Sequence, residues 1–254
     1  RDADAPLNAA ELATISRASL PSLRSIAIER CARALPLALA LARAAPRLGH
    51  VALDVCAAQP HRADPAEIAS ARALVGAAPG LTSLRIAWHY FEPTDFVAIL
   101  GSRLTTLSVV GSVLPTDMLP AILGTERPAQ SGTSGPRASG PPAAPAVTDL
   151  DLSRCDVTDA GLSALCARLP LRALSIRACR CLTSARPLGA LSASLTSLDI
   201  SQCDLGPHVI GALRGLQRLV TLRAQGSPLV CTPDGAIATL TALSACPELA
   251  HLHL

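Results

Sequence analysis

Apolar residues recur along this chain in one frame, L-x-x-L-x-L-x-x-C, which is written at Val147 to Cys155, Leu171 to Cys179, Leu195 to Cys203 and Leu219 to Ser227, each copy 24 residues after the last. The middle of the frame alternates apolar and polar positions, the period of a strand with one buried face. Each copy therefore predicts a short strand whose fourth and sixth side chains point inward and whose third, fifth and seventh point outward. A unit this short cannot enclose a core alone. Its inward side chains must stack on those of the next copy, which makes one elongated solenoid.

The frame reaches both ends once spacers are allowed to vary. Leu23, Ile26, Ile28 and Cys31 fit it, then Leu48, Val51, Leu53 and Cys56, then Leu81, Leu84, Ile86 and His89, then Leu104, Leu107, Val109 and Ser112. Leu249, Leu252 and Leu254 open a ninth copy. Successive starts are 25, 33, 23, 43, 24, 24, 24 and 30 residues apart, so insertions fall between strands. The open edge of the last strand leads us to expect a domain or piece of a larger protein.

Helix signals occupy the spacers. Thr158-Asp159, Thr94-Asp95 and Thr116-Asp117 supply caps and an acid for the first turn, and Asp64-Pro65 and Thr232-Pro233-Asp234 add proline at the first helical position. Each return leg is expected to be mostly a short helix, and residues 1–22 a helix that caps the first strand. The segment Thr125 to Ala146 has no large apolar side chain and is rich in Pro, Gly, Ser and Ala, so it reads as a disordered surface insertion in a repeat domain spanning 23–254.

The frame and its period resemble the leucine-rich repeat. This implies an α/β horseshoe with a parallel sheet on the concave side and short helices on the convex side. The cysteine at the ninth position, in VTDLDLSRCDVTDAGLSALCARLPLRALSIRACRCLT and SLTSLDISQCDL, is similar to the cysteine-containing repeats in the substrate-binding arms of F-box adaptors. That resemblance is strongest over Val147 to Ser227. It implies a protein-binding module, either the arm of an F-box-like ubiquitin-ligase adaptor or a structural subunit of a large assembly. No F-box motif is visible.

Composition narrows the chemistry. The formal net charge is +3 and there are four aromatic residues, which leaves little stacking surface for nucleic acid. The longest uncharged apolar run, Ala34 to Ala42, is far below the ~18 to 20 residues of a membrane span. Of nine cysteines, Cys31, Cys56, Cys155, Cys179 and Cys203 take the ninth position, and an odd count without a paired framework points to a reducing compartment, the cytoplasm or the nucleus. Cys179-Arg180-Cys181 has the wrong spacing for a redox or zinc motif, and His251 and His253 form a pair without a third ligand. Asp151 and Asp199 fall about 10 Å apart across Ser175 from the strand spacing, on a surface with no burial to divide their proton affinities. The expectation is a non-enzymatic protein with no cofactor and no metal.

The outward positions are the better candidate for a site. They are small and polar with scattered charges, among them Arg85, Asp149, Asp151, Ser175, Arg177, Asp199, Arg223 and Gln225, and a protein partner laid on the concave face would meet them. All four aromatics, Trp88, Tyr90, Phe91 and Phe96, fall within nine residues. Ile86 and His89 take inward places, so Trp88 and Tyr90 are expected at the strand end beside the concave rim, and Phe96 in the helix core. Two readings stay open for Trp88 and Tyr90: a local packing cluster, or, with Arg85, an anchor for a partner.

Overall fold

The computed structural model describes residues 9–29, 31, 34–54, 65–114, 146–205, 208–228 and 233–254. Nine strands form one sheet in chain order: β1 Ser25–Ile28, β2 His50–Asp54, β3 Ser83–Ala87, β4 Thr106–Ser108, β5 Asp149–Asp151, β6 Ala173–Ser175, β7 Ser197–Asp199, β8 Thr221–Arg223 and β9 His251–His253. Every neighbouring pair is parallel and in the register of the sequence frame, with Leu150 beside Leu174 and Leu174 beside Leu198. The return legs carry α1 Ala9–Arg17, α2 Ala34–Ala44, α3 Pro65–Ala77, α4 Pro93–Leu100, α5 Asp159–Arg168, a 3₁₀ helix at Arg186–Leu191, α6 His208–Gly215 and α7 Pro233–Leu243. The helices pack side by side along the back of the sheet in two runs, α1 to α4 and α5 through the 3₁₀ helix to α7.

The core follows the frame. Leu48, Leu84, Ile86, Leu107, Val109, Leu152, Leu171, Leu195, Leu198, Leu219 and Leu222 are all almost completely buried. One leucine of this kind contributes about 1.5 to 3 kcal/mol of transfer free energy, and truncating it to alanine costs about 2 to 5 kcal/mol because a cavity is left. The expected insertion lies outside the described residues apart from Ala146, as do Thr116-Asp117, Asp64 and Thr232.

Local chemistry sets the helix starts. Thr158 caps α5 by accepting the N–H of Gly161 at 3.2 Å, as its sequence position predicts. The expected Thr94 cap is different: α4 starts earlier, at Pro93, with Glu92 at the N-cap and no side-chain cap bond. Proline's fixed φ suits the first helical position and draws the start forward.

Candidate functional site

The strands β3 to β8 end in turns with one left-handed residue at the same place. The N–H of Cys155, Cys179 and Cys203 donates to the carbonyl three residues back, on Leu152, Ile176 and Ile200, at 3.1, 3.2 and 3.3 Å. The residue before the ninth position is left-handed in six repeats: Trp88 (φ 61), Gly111 (66), Arg154 (61), Ala178 (57), Gln202 (59) and Gly226 (64). A single positive φ at the third residue is the signature of a type II turn, a conformation that favours glycine. Four of these six positions hold other residues. The turn is stabilised by its neighbour, since the N–H of Arg154, Ala178 and Gln202 donates to the carbonyls of Arg177, Ser201 and Gln225 on the next repeat, at 2.7, 2.9 and 2.8 Å.

The turn aims the ninth side chain inward, and the thiols form a hydrogen-bonded ladder. Cys155 donates to Val109 O at 3.0 Å, Cys179 to Leu152 O at 3.1 Å and Cys203 to Ile176 O at 2.9 Å, each reaching the preceding repeat. Ser112 replaces the thiol in its repeat, donating to Ile86 O at 3.4 Å and accepting the N–H of His89 at 3.1 Å. All three thiols are buried and free, and loss of hydration pushes each one up, Cys179 to about 12. They are poor nucleophiles. Their place is structural.

Outward side chains fall into aligned rows across the concave face. Asp149, Asp151, Ser175, Arg177, Asp199 and Arg223 border one shallow depression with Ser108, Ser153 and Ser197. Arg177, Arg223 and Gln225 are exposed, and the aspartates and Ser175 are half-buried. The aspartates are engaged locally. Asp151 accepts from the N–H and Oγ of Ser153, at 3.0 and 2.5 Å, and from Ser108 Oγ at 3.0 Å. Asp199 accepts the Ser201 N–H at 2.9 Å, and Asp149 accepts Thr148 Oγ1 at 2.6 Å. The two D-x-S triplets thus brace their own turns, a role that was readable in the spacing and was missed. Among the described residues no group of three or more His, Cys, Asp or Glu side chains is placed to hold a metal ion.

The aromatic cluster divides. Phe91 and Phe96 are buried, with His89 edge-on to Phe91 at 4.8 Å and Phe91 to Phe96 at 5.6 Å. Trp88 is 40% exposed and lines a second cleft, of about 430 Å³, together with Arg85. Tyr90 is half-buried, past the turn in a bridge to Val113, and does not line that cleft.

The fold is a leucine-rich-repeat solenoid. Two segments, 145–166 and 192–207, match the Leucine Rich repeat family model. The chain is structurally similar to an internalin from Listeria monocytogenes, with a TM-score of 0.56 at 13% identity over 96% of this chain and 57% of that one. A leucine-rich-repeat protein of Leptospira interrogans aligns over 92% of this chain and 51% of its own, at 14% identity and a TM-score of 0.47. The chain thus spans a little over half of each of these structures. No curated protein sequence matches it. Among the described residues no helix of the solenoid is long and apolar enough to cross a membrane.

Proposed function

We propose that the solenoid is a non-enzymatic recognition module that binds protein partners on its concave face. The observation that carries this reading is the register: two rows of outward side chains, from Ser25 to His251 and from Ala27 to His253, run in line across nine strands. An extended or helical partner laid across the rows meets a new repeat every ~4.8 Å, so small polar side chains with scattered charges read it by distributed hydrogen bonds. Exposed Arg85, Arg177 and Arg223 supply charge, and Trp88 supplies a rim aromatic of the kind that anchors interfaces.

Two settings fit such a module: the substrate arm of an F-box-like ubiquitin-ligase adaptor, or a structural subunit of a large assembly. The free thiols of the seven described cysteines suit a reducing compartment. Affinity capture with the wild type and with Arg177→Glu/Arg223→Glu tests the face. The reading expects the charge-reversed protein to lose the partner at an unchanged melting temperature, and equal capture by both would overturn it. A salt-resistant stoichiometric complex favours the subunit, whereas several weak clients and a cullin-type scaffold favour the adaptor.

A further inference from the structure

We propose that the cleft at the N-terminal end of the concave face receives one cationic side chain, arginine or lysine, from a protein partner; this rests on the reading of that face as a recognition surface. The sequence creates the space. Ala27 and Ala52 pair across β1 and β2 in the row where later repeats carry Arg85, Asp151, Asp199 and Arg223, so two truncated side chains lie side by side at the floor. The same register, continued by two residues, brings Glu29 beside Asp54 at the edge of the cleft. Backbones on adjacent strands are ~4.8 Å apart. Like charges carried side by side on adjacent strands repel each other, and a cation between them relieves the repulsion.

These two acids differ from the others on the face. Asp149, Asp151 and Asp199 each accept hydrogen bonds from their own turn or a neighbouring hydroxyl, whereas neither Glu29 nor Asp54 is engaged by a described side chain. Their oxygens are available to an incoming donor. Hydrogen bonds to charged groups are the stronger class.

Trp88 completes the cleft. A Cβ built on Gly111 would fall 2.5, 2.6 and 2.8 Å from Cε3, Cζ3 and Cδ2 of Trp88. Nearly equal distances to three consecutive ring atoms place Gly111 over the ring face and not at its edge. One face of the indole therefore rests on the next repeat, and the exposed part of the ring borders the acids. Trp is the best cation–π partner among the aromatics. Arg85 borders the cleft from β3 and offsets one of the two acids, which leaves a formal charge of −1 for a single cation and repels a basic run.

Trp88 is the single tryptophan of the chain, so intrinsic fluorescence reports this cleft alone. The test titrates the full chain at low salt with the acetylated, amidated pentapeptide Gly-Gly-Arg-Gly-Gly and with its citrulline counterpart, a neutral isostere. The proposal expects a saturable change in Trp88 emission with the arginine peptide and affinity at least tenfold weaker with citrulline. Glu29→Gln/Asp54→Asn should lower arginine-peptide affinity at least tenfold with an unchanged melting temperature. Equal binding of the two peptides, or full binding by the double variant, overturns it. Partner capture separates the two levels. A partner that survives Glu29→Gln/Asp54→Asn but is lost on Arg177→Glu/Arg223→Glu leaves the concave-face reading standing and removes the cation cleft; a partner indifferent to both removes the reading itself.

Discussion

Adding one methyl group at Gly111 tests the turn geometry and the seating of Trp88 together. Two costs arise. Gly111 has φ +66°, where a Cβ meets the following carbonyl at about 1 to 2 kcal/mol; Ala178, at φ 57°, shows that the position accepts an alanine at that cost. The new Cβ would also lie 2.5 Å from Trp88 Cε3, well inside the ~3.5 to 4.0 Å of a favourable carbon contact. Moving the indole or the turn costs a further ~1 to 3 kcal/mol. Gly111→Ala should therefore destabilise the protein by about 2 to 5 kcal/mol and shift the Trp88 emission. In a Trp88→Ala background the clash is absent and the cost should fall to about 1 to 2 kcal/mol. Urea unfolding followed by far-ultraviolet circular dichroism measures all four proteins, and the cycle gives the coupling directly. Equal costs in the two backgrounds would refute the placement of the indole over Gly111.

Cys181 is exposed and should label rapidly with a thiol reagent, while Cys155, Cys179 and Cys203 label only on unfolding; fast modification of all three, read by peptide mapping, contradicts the ladder. Burial holds Cys166 and Cys179 up at about 12, so their thiol form is favoured in the fold. Stability should be intact below pH ~8.5 and fall as pH rises above it, because the unfolded thiols ionise first. His89 is buried, its Nε2 has no hydrogen-bond partner among the described residues, and burial lowers it to about 4. The unfolded chain binds that proton from pH ~6.5 downward, so up to about 3 kcal/mol should be lost between pH ~6.5 and ~4. His89→Ser should flatten this limb of the stability profile, and an unchanged limb would exonerate His89. Thr158→Ala should cost about 1 kcal/mol in urea unfolding, and no loss would mean that the Gly161 amide finds another acceptor.

The strands were legible because their code is redundant. Leu150, Leu174 and Leu198 each obey the alternation and also the period, and both rules place them in one stack. The turns were less legible. Gly111 and Gly226 mark the left-handed position in sequence, but Trp88, Arg154, Ala178 and Gln202 occupy it without any such mark, held by hydrogen bonds to the next repeat. The cysteines were legible as a repeated ninth position; that each thiol bonds the repeat before it required the register. Glu29 and Asp54 were visible as outward residues one by one. The frame puts both at its seventh position and so implies their pairing; that Trp88, in the turn of the third repeat, borders the same cleft required the structure.

The most direct test of recognition by the concave face is site-specific photo-cross-linking of the captured partner. A benzophenone side chain at Ser175, half-buried in the middle of the concave rows, is compared with one at Ser163, exposed on α5 at the back of the sheet. The account predicts partner adducts from position 175 and none from position 163. Adducts from 163 with none from 175 would contradict it.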